Sequence, residues 1–374
     1  MNILFVGPYR QKDGWAMATR SYIKSLATRH KNITTRPLYL STPDDNFNDS
    51  EILEYESSRY EHYDIVIQKT LPHCLFYNGS YKKNIALFVL ETNNLINSEC
   101  IPNINRMDEI WVPSSFEQTC LIKSGVTKPI KVISQALDTE FIDSNRNHKI
   151  NINPIVDNMF KFYFIGEYND RKNIKDLIIA FNLAFDHTEP VCLVIKTNIP
   201  GMQPSQSLSK IEADINQIKK TLANKSKYKK EIIITDNMSY KDIIGPHNAC
   251  NCFVAPSYGE AFCRPAAEAL VLGKTPIVNK NTGIKDYITE ENGFLVKSTK
   301  TPVIVTNRPL SNDFDIYNAD EYWYKVDIYD LIEKMKLAYS MHSKKDKALN
   351  DKKEAGIASL ANFSYTEIGA KLCI

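Results

Sequence analysis

Glycine is scarce in this chain, 13 residues among 374, and its placement excludes two common phosphate-binding devices. Gly7 and Gly14 stand seven apart after the first apolar run, so no G-x-G-x-x-G fingerprint follows it, and no G-x-x-x-x-G-K-[ST] loop occurs anywhere. A dinucleotide oxidoreductase and a P-loop enzyme are therefore disfavoured. Long apolar runs are missing as well: none approaches the roughly 18–20 residues that span a bilayer. The opening residues Met1 to Gly7 carry neither a basic segment nor a long apolar one, so no signal peptide is expected. Neither sign of charge dominates, since 46 basic and 44 acidic residues leave a net charge of +2. No overall field points to nucleic acid or to a membrane surface. The eight cysteines are scattered, unlike a disulfide framework, and the expected compartment is the reducing cytoplasm.

What is present reads as an α/β chain. Residues 2–6 form a short apolar run ending at Gly7-Pro8, as a buried parallel strand does. A polar turn through Asp13-Gly14 leads to a helical pattern from Trp15 to Leu26, and strand candidates follow at 65–67, 85–90, 110–112 and 130–133. The stretch 141–158 is polar, Asn-rich and aperiodic, and reads as a linker. Alternation then restarts, with strands at 160–165, 191–195, 231–234, 252–255 and 275–278. Helices are expected at 173–185, 208–224, 239–249 and 264–272, with a helical tail from 327. Two α/β domains are expected, 1–150 and 151–362, with 363–374 packing back toward the first. Such a pair places a ligand cleft at the carboxyl ends of the strands, between the domains.

The segment 252–278 is the most informative. A strand ends at Pro256-Ser257, a turn carries Tyr258 to Cys263, and a helix opens near Arg264-Pro265, where proline fits the first helical turn. Backbone N–H groups at such a helix start suit a diphosphate. Glu260 precedes the helix and Glu268 lies inside it, placed to accept hydrogen bonds from hydroxyls on either side of that diphosphate. Taken alone, two glutamates would be read as a helix-dipole partner and a solvated helix residue.

The whole string resembles the signature of retaining, nucleotide-sugar-dependent glycosyltransferases of family 4, which share the GT-B fold. Pro256-Ser257, Glu260, Phe262, Pro265, Glu268-Ala269, Gly273 and Pro276-Ile277-Val278 match it in order and spacing. Ala261 and Cys263 stand where glycines are usual. The run Gly166-Glu167 to Arg171-Lys172-Asn173 resembles the loop that opens the family's second domain, with Lys172 on the diphosphate-holding lysine and Glu167 replacing an arginine, a charge that Arg171 is placed to supply. Asp13-Gly14-Trp15 resembles the glycine loop of the first domain. Asp108 to Ser115 and Val132 to Asp138 resemble two further family segments, and Glu91-Thr92-Asn93 stands where many members carry a histidine.

The resemblance implies two Rossmann-like domains facing each other across a cleft, and transfer of a sugar from a nucleoside diphosphate sugar to a hydroxyl with the anomeric configuration kept. It implies Glu260, Lys172 and Arg171 as catalytic residues. Gly14, Gly166, Phe262, Cys263, Arg264 and Glu268 are implied on the donor side, and Asp13, Trp15, Glu91 and Asn93 on the acceptor side. It implies no bound metal and no cofactor, the nucleotide sugar being a co-substrate. The helix Trp15–Leu26 has apolar residues enough only to pack on a sheet, so a soluble acceptor is expected, a saccharide or DNA, and no membrane insertion. The lysines 219, 220, 225, 227, 229 and 230 suit a solvated helix face or a surface that guides a polyanion. Other readings are a glycosyltransferase acting on hydroxymethylated pyrimidines in DNA, a sugar epimerase, which should lack the two-glutamate string, and a non-enzymatic nucleotide-sugar sensor. His247, Cys250, Cys252 and Cys263 lack zinc-site spacing and read as buried residues. Oligomeric state, the donor base and its sugar are open.

Overall fold

The computed structural model describes residues 1–95, 99–223, 228–305, 317–318 and 320–374. The chain divides into two compact units. The first comprises Met1–Thr139, a short stretch ending at Tyr322, and Ala361–Ile374; the second comprises the described residues of Glu140–Asp313 and Trp323–Leu360.

Six strands build the first unit: β1 (Ile3–Gly7), β2 (Ile33–Pro37), β3 (Ile65–Lys69), β4 (Lys83–Leu87), β5 (Glu109–Val112) and β6 (Ile130–Val132). They pair in the order β2-β1-β3-β4-β5-β6, all parallel. Parallel sheets are covered on both faces, which is why β3 is buried at every position although it ends in Gln68-Lys69. Helix α1 (Gly14–Ala27) packs Tyr22, Ile23 and Leu26 on Ile3, Phe5, Ile65 and Ile67 of one sheet face. Helices α2 (Ser50–Ser57), α3 (Cys100–Ile104) and α4 (Ser115–Lys123) complete the described crossovers of this sheet. The strand Ile33–Pro37 and the helix Ser50–Ser57 have no counterpart in the sequence pattern, because each is short and half polar.

In the second unit β7 (Phe160–Ile165), β8 (Val191–Lys196), β9 (Ile232–Ile234), β10 (Cys252–Ala255), β11 (Ile277–Asn279) and β12 (Phe294–Val296) pair in the order β12-β11-β10-β7-β8-β9, again all parallel. Period-two alternation sorts its side chains into two layers. Phe160, Phe162 and Phe164 enter one core with Val191, Leu193 and Ile195, while Tyr163 and Ile165 enter the other with Cys192 and Val194. Between β7 and β10 run α6 (Ile174–Ala184), α7 (Pro204–Lys220) and α8 (Tyr240–Ala249); α5 (Thr139–Ser144) precedes β7 and α9 (Arg264–Val271) follows β10. A two-stranded sheet of β13 (Ser298–Pro302) and β14 (Tyr322–Val326) precedes α10 (Ile328–Ser343), α11 (Lys347–Ala358) and α12 (Tyr365–Lys371).

Helix α12 returns to the first unit and lies on α1, so closely that a Cβ at Gly369 would overlap the Ser25 carbonyl oxygen and the Thr28 hydroxyl. The stretch expected to be a linker is instead pinned to the second unit. Phe141 stacks on Tyr240 with ring centroids 5.0 Å apart, Arg146 donates to the Val271 carbonyl at 3.0 Å, and Asn248 donates to the carbonyls of Asn145 and His148. Polar composition marked the segment as loop. The contacts that immobilise it come from α8 and α9, about a hundred residues on.

Both sheets have a point at which strand order reverses. In the first sheet it lies between β1 and β3, whose carboxyl ends are Gly7 and Lys69; in the second it lies between β7 and β10, ending at Ile165 and Ala255. Ligands of open parallel sheets bind outside such points, because the two flanking crossovers diverge there and leave a crevice.

Candidate functional site

The reversal point of the second sheet brings together the loops after β7 and β10. Asn169 caps the short turn Asp170–Lys172 by accepting from the Lys172 amide at 3.1 Å. Asn173 follows in the left-handed region, φ 54°, a conformation that asparagine tolerates better than most residues. Its side chain caps α6 and donates to the Pro256 carbonyl at 3.1 Å, tying the two loops. Tyr258 N donates to the Arg171 carbonyl at 2.7 Å, and the Arg171 guanidinium donates to the Gly259 carbonyl at 2.7 Å. So laced, the loops set Lys172 Nζ 2.6 Å from Glu260 Oε1 and Arg171 3.2 Å from Oε2. Glu260 is only 3% exposed. Burial opposes its ionisation, but the Lys172 and Arg171 charges and the Lys172 hydrogen bond hold its carboxyl below the usual carboxylate range. The result is a buried carboxylate paired with two cations. Gly166 lies beneath them: a Cβ there would press on the Phe164 ring at 2.9 Å and approach Lys172 Cε at 3.7 Å.

Helix α9 starts one turn away. Its N-cap, Cys263, has φ 64°, which explains why glycine is usual there in the family it resembles. Burial first, and then the Glu260 charge, push the Cys263 thiol up to about 12, so it is neutral and packs. Phe262 is also a packing residue, its ring 4.9 Å from that of Tyr287. Glu268, 1% exposed, is held among three polar neighbours. Tyr240 Oη and Arg264 Nε both donate to Oε1 at 2.9 Å, and His247 Nε2 lies 3.6 Å from Oε2. Burial opposes Glu268 ionisation, while His247 and Arg264 hold its carboxyl below the usual range; burial keeps the His247 pKa low. Tyr163 Oη lies 2.8 Å from His247 Nδ1 and orients the ring from beneath. Tyr240, Tyr163 and Asn173 carry no site signal of their own in the sequence, and His247 reads there only as a buried residue near cysteines that lack zinc-site spacing. Asn173 stood in a matched motif, but the other three lie in strands or helices whose apolar periodicity reads as packing.

In the first unit, Asp13 caps α1, accepting from the Ala16 amide at 2.9 Å and from Gln11 Nε2 at 2.8 Å. Gly14 is exposed with nothing within 4 Å of where a Cβ would stand, and the Trp15 ring lies over Lys69 Nζ at 4.6 Å. Glu91 accepts from Tyr317 Oη at 2.6 Å, and the Asn93 amide donates to the Tyr322 carbonyl at 2.9 Å. Tyr317 and Tyr322 thus lie on the loop after β4.

Among the described lysines of this run, two do not face outward. Lys219 pairs with Glu231 at 2.6 Å and Lys229 donates to the Val191 carbonyl at 2.9 Å, both turned inward; Lys225 and Lys227 lie outside the described residues. Among the described residues no helix is long and apolar enough to cross a membrane.

The family comparison falls on the segment that holds this site. Residues 145–305 match the family model described as Glycosyl transferases group 1. That span lies within the second unit and contains Lys172, Glu260 and Glu268. No curated protein matches the chain in sequence. Among solved structures, Anabaena Alr3699/HepE in complex with UDP and glucose superposes with a TM-score of 0.65 at 15% identity, covering 100% of this chain and 98% of that one. A glycosyltransferase from Rickettsia africae gives 0.61 at 15% identity, covering 99% and 96%. The E. coli protein described as trehalose-6-phosphate bound with UDP-2-fluoro glucose gives 0.66 at 7% identity, covering 100% of each. These likenesses establish the fold: two parallel-sheet, Rossmann-like units of the GT-B type.

Proposed function

We propose that the chain is a retaining, metal-independent glycosyltransferase that moves a sugar from a nucleoside diphosphate sugar to a hydroxyl acceptor. The observation that carries this reading is the buried Lys172–Glu260–Arg171 cluster at the reversal point of the second sheet, beside the start of α9. The match of residues 145–305 and the UDP and UDP-sugar complexes among the structural relatives support it.

The chemistry follows from the charges. As the bond from the sugar C1 to the phosphate oxygen breaks, negative charge grows on the diphosphate. Lys172, Arg171 and the first-turn amides of α9 stabilise that charge in place of a metal. Glu260, relieved of part of its pairing when the diphosphate takes the cations, accepts hydrogen bonds from the sugar. Glu268 accepts from the ribose hydroxyls, in competition with Tyr240. The acceptor oxygen bonds C1 on the face the phosphate leaves, and its proton passes to the departing phosphate oxygen, so no separate nucleophile is needed.

The test is a panel of nucleoside diphosphate sugars, with and without candidate acceptors, scored by mass spectrometry with and without EDTA. Transfer with retained configuration in EDTA is the expected result. Donor binding with no turnover on any acceptor would make the chain a nucleotide-sugar sensor, and strict metal dependence would overturn the mechanism.

A further inference from the structure

The opposite edge of the second sheet, at the amino ends of its strands, holds a separate group of cations. A cavity of about 60 Å³ there is lined by Phe160, the first residue of β7, by Asn251 just before β10, and by Lys274 and Thr275 just before β11. Lys353 of α11 and the exposed His342 near the end of α10 complete its polar lining. A buried water needs about 10–15 Å³, so the cavity has room for a group the size of one phosphate. No acid lines it among the described residues.

Backbone packing fixes both lysines. Gly273, at φ 71°, makes the left-handed turn that ends α9, and the Lys274 amide then donates to the Ala269 carbonyl at 2.9 Å. Lys353 stands one turn before Gly356, where a Cβ would come within 2.8 Å of the Leu270 carbonyl oxygen, so α11 lies directly on α9. Neither lysine side chain has an ion pair or a hydrogen bond among the described residues. Burial lowers the Lys274 ammonium to about 8; Cys250 opposes that shift, and Lys353 and Lys149 reinforce it. Burial and then the Lys353 charge also lower His342. Asn251 accepts from the Lys161 amide through Oδ1 at 2.8 Å, which leaves its Nδ2 donor without an acceptor among the described residues. Two like charges thus share a small cavity with no counter-charge. An oxyanion between them relieves both the repulsion and the unmet donors.

We infer that this cavity is a binding site for a phosphate group, held between Lys274 and Lys353 with Asn251 as a neutral donor. It is distinct from the Lys172–Glu260 cluster, which lies at the carboxyl ends of the same strands. The bound group ties α11 to the end of α9, the helix that carries Glu268. Its source is free phosphate or the phosphate of a small monoester.

The test uses the full chain in saturating UDP, with inorganic phosphate as probe. Calorimetry is expected to show saturable phosphate binding. Lys274→Met and Lys353→Gln are each expected to weaken it by about tenfold or more, with UDP affinity unchanged. In the parent, phosphate is expected to shift the His342 imidazole resonances, identified by their loss in His342→Asn, and this readout does not depend on how the lysine variants fold. Methyl phosphate in place of inorganic phosphate separates the sources: tighter binding of the ester identifies a phosphorylated metabolite, and weaker binding identifies the free ion. The inference is overturned by absent phosphate binding, by unchanged affinity in either lysine variant, or by His342 resonances that phosphate does not move. The lysine variants assign the binding to this cavity whether or not UDP itself binds.

Discussion

Lys172 and Glu260, 88 residues apart in sequence, meet at 2.6 Å with both side chains largely removed from solvent. Neither residue reaches this position on its own element. The Asn173 bond to Pro256 and the Tyr258 bond to Arg171 bring the two loops within reach, and the ion pair then closes.

Lys172→Met leaves Glu260 buried with Arg171 alone. Breaking one side of a buried pair costs about 3–5 kcal/mol of stability, and loss of the proposed charge-assisted bond to the donor diphosphate is expected to cost about 2–4 kcal/mol in kcat/KM, roughly 30- to 1000-fold. Adding Glu260→Gln is expected to restore much of the stability and none of the turnover. Urea unfolding and steady-state kinetics on the single and double variants check it, and near-normal kcat/KM in the single variant would remove Lys172 from the site.

Glu268→Ala is expected to raise the donor KM and weaken free UDP. Tyr240→Phe, which removes a competitor for Oε1, is expected to leave UDP affinity unchanged or improve it. Titration calorimetry decides between them: equal UDP affinity in Glu268→Ala and the parent removes the ribose assignment.

Glu321 is buried, and this burial, opposed by Thr92 and the Asn318 amide, lifts its carboxyl to about 7. With a folded pKa above the unfolded one, the native state holds an extra proton between about pH 4.5 and 7. Stability therefore falls as pH rises through that window. Glu321→Gln is expected to match the parent near pH 4.5 and to melt higher than the parent at pH 8. Paired melting curves at the two pH values check this.

Lys69 titrates in the opposite sense. Burial lowers its pKa from 10.5 to about 7, with Asp13 opposing the shift, so the unfolded chain binds the extra proton between those values and stability rises with pH across them. In the ligand-free chain Lys69→Met is expected to be more stable than the parent at pH 6, the difference closing toward pH 10. A constant difference would mean that Lys69 stays charged throughout.

Gly369→Ala places a methyl group on the Ser25 carbonyl and the Thr28 hydroxyl, where backbone cannot yield cheaply. Overpacking of this kind costs typically about 1–3 kcal/mol. Faster proteolysis after α11 than in the parent is the expected signature of a loosened α12.

Much of the fold was legible locally. Strands 160–165 and 252–255 are short, mainly apolar runs bounded by turn residues, the usual composition of a parallel strand buried on both faces. Alternation of such runs with helical periods already specified two α/β units, and the spacing of Lys172, Glu260 and Glu268 around strand ends marked one candidate site. Tertiary structure alone decided how the charges are used. Whether a lysine is a solvated tail, a partner of Glu231 like Lys219, or a buried cation like Lys69 depends on what the rest of the chain leaves beside it. His247 under Glu268 and Asn173 on Pro256 are likewise set by long-range approach. Apolar burial is written in local periodicity, because each strand or helix needs only one apolar face. Charge pairing is not, because its energy depends on the distance to a partner that the sequence does not place.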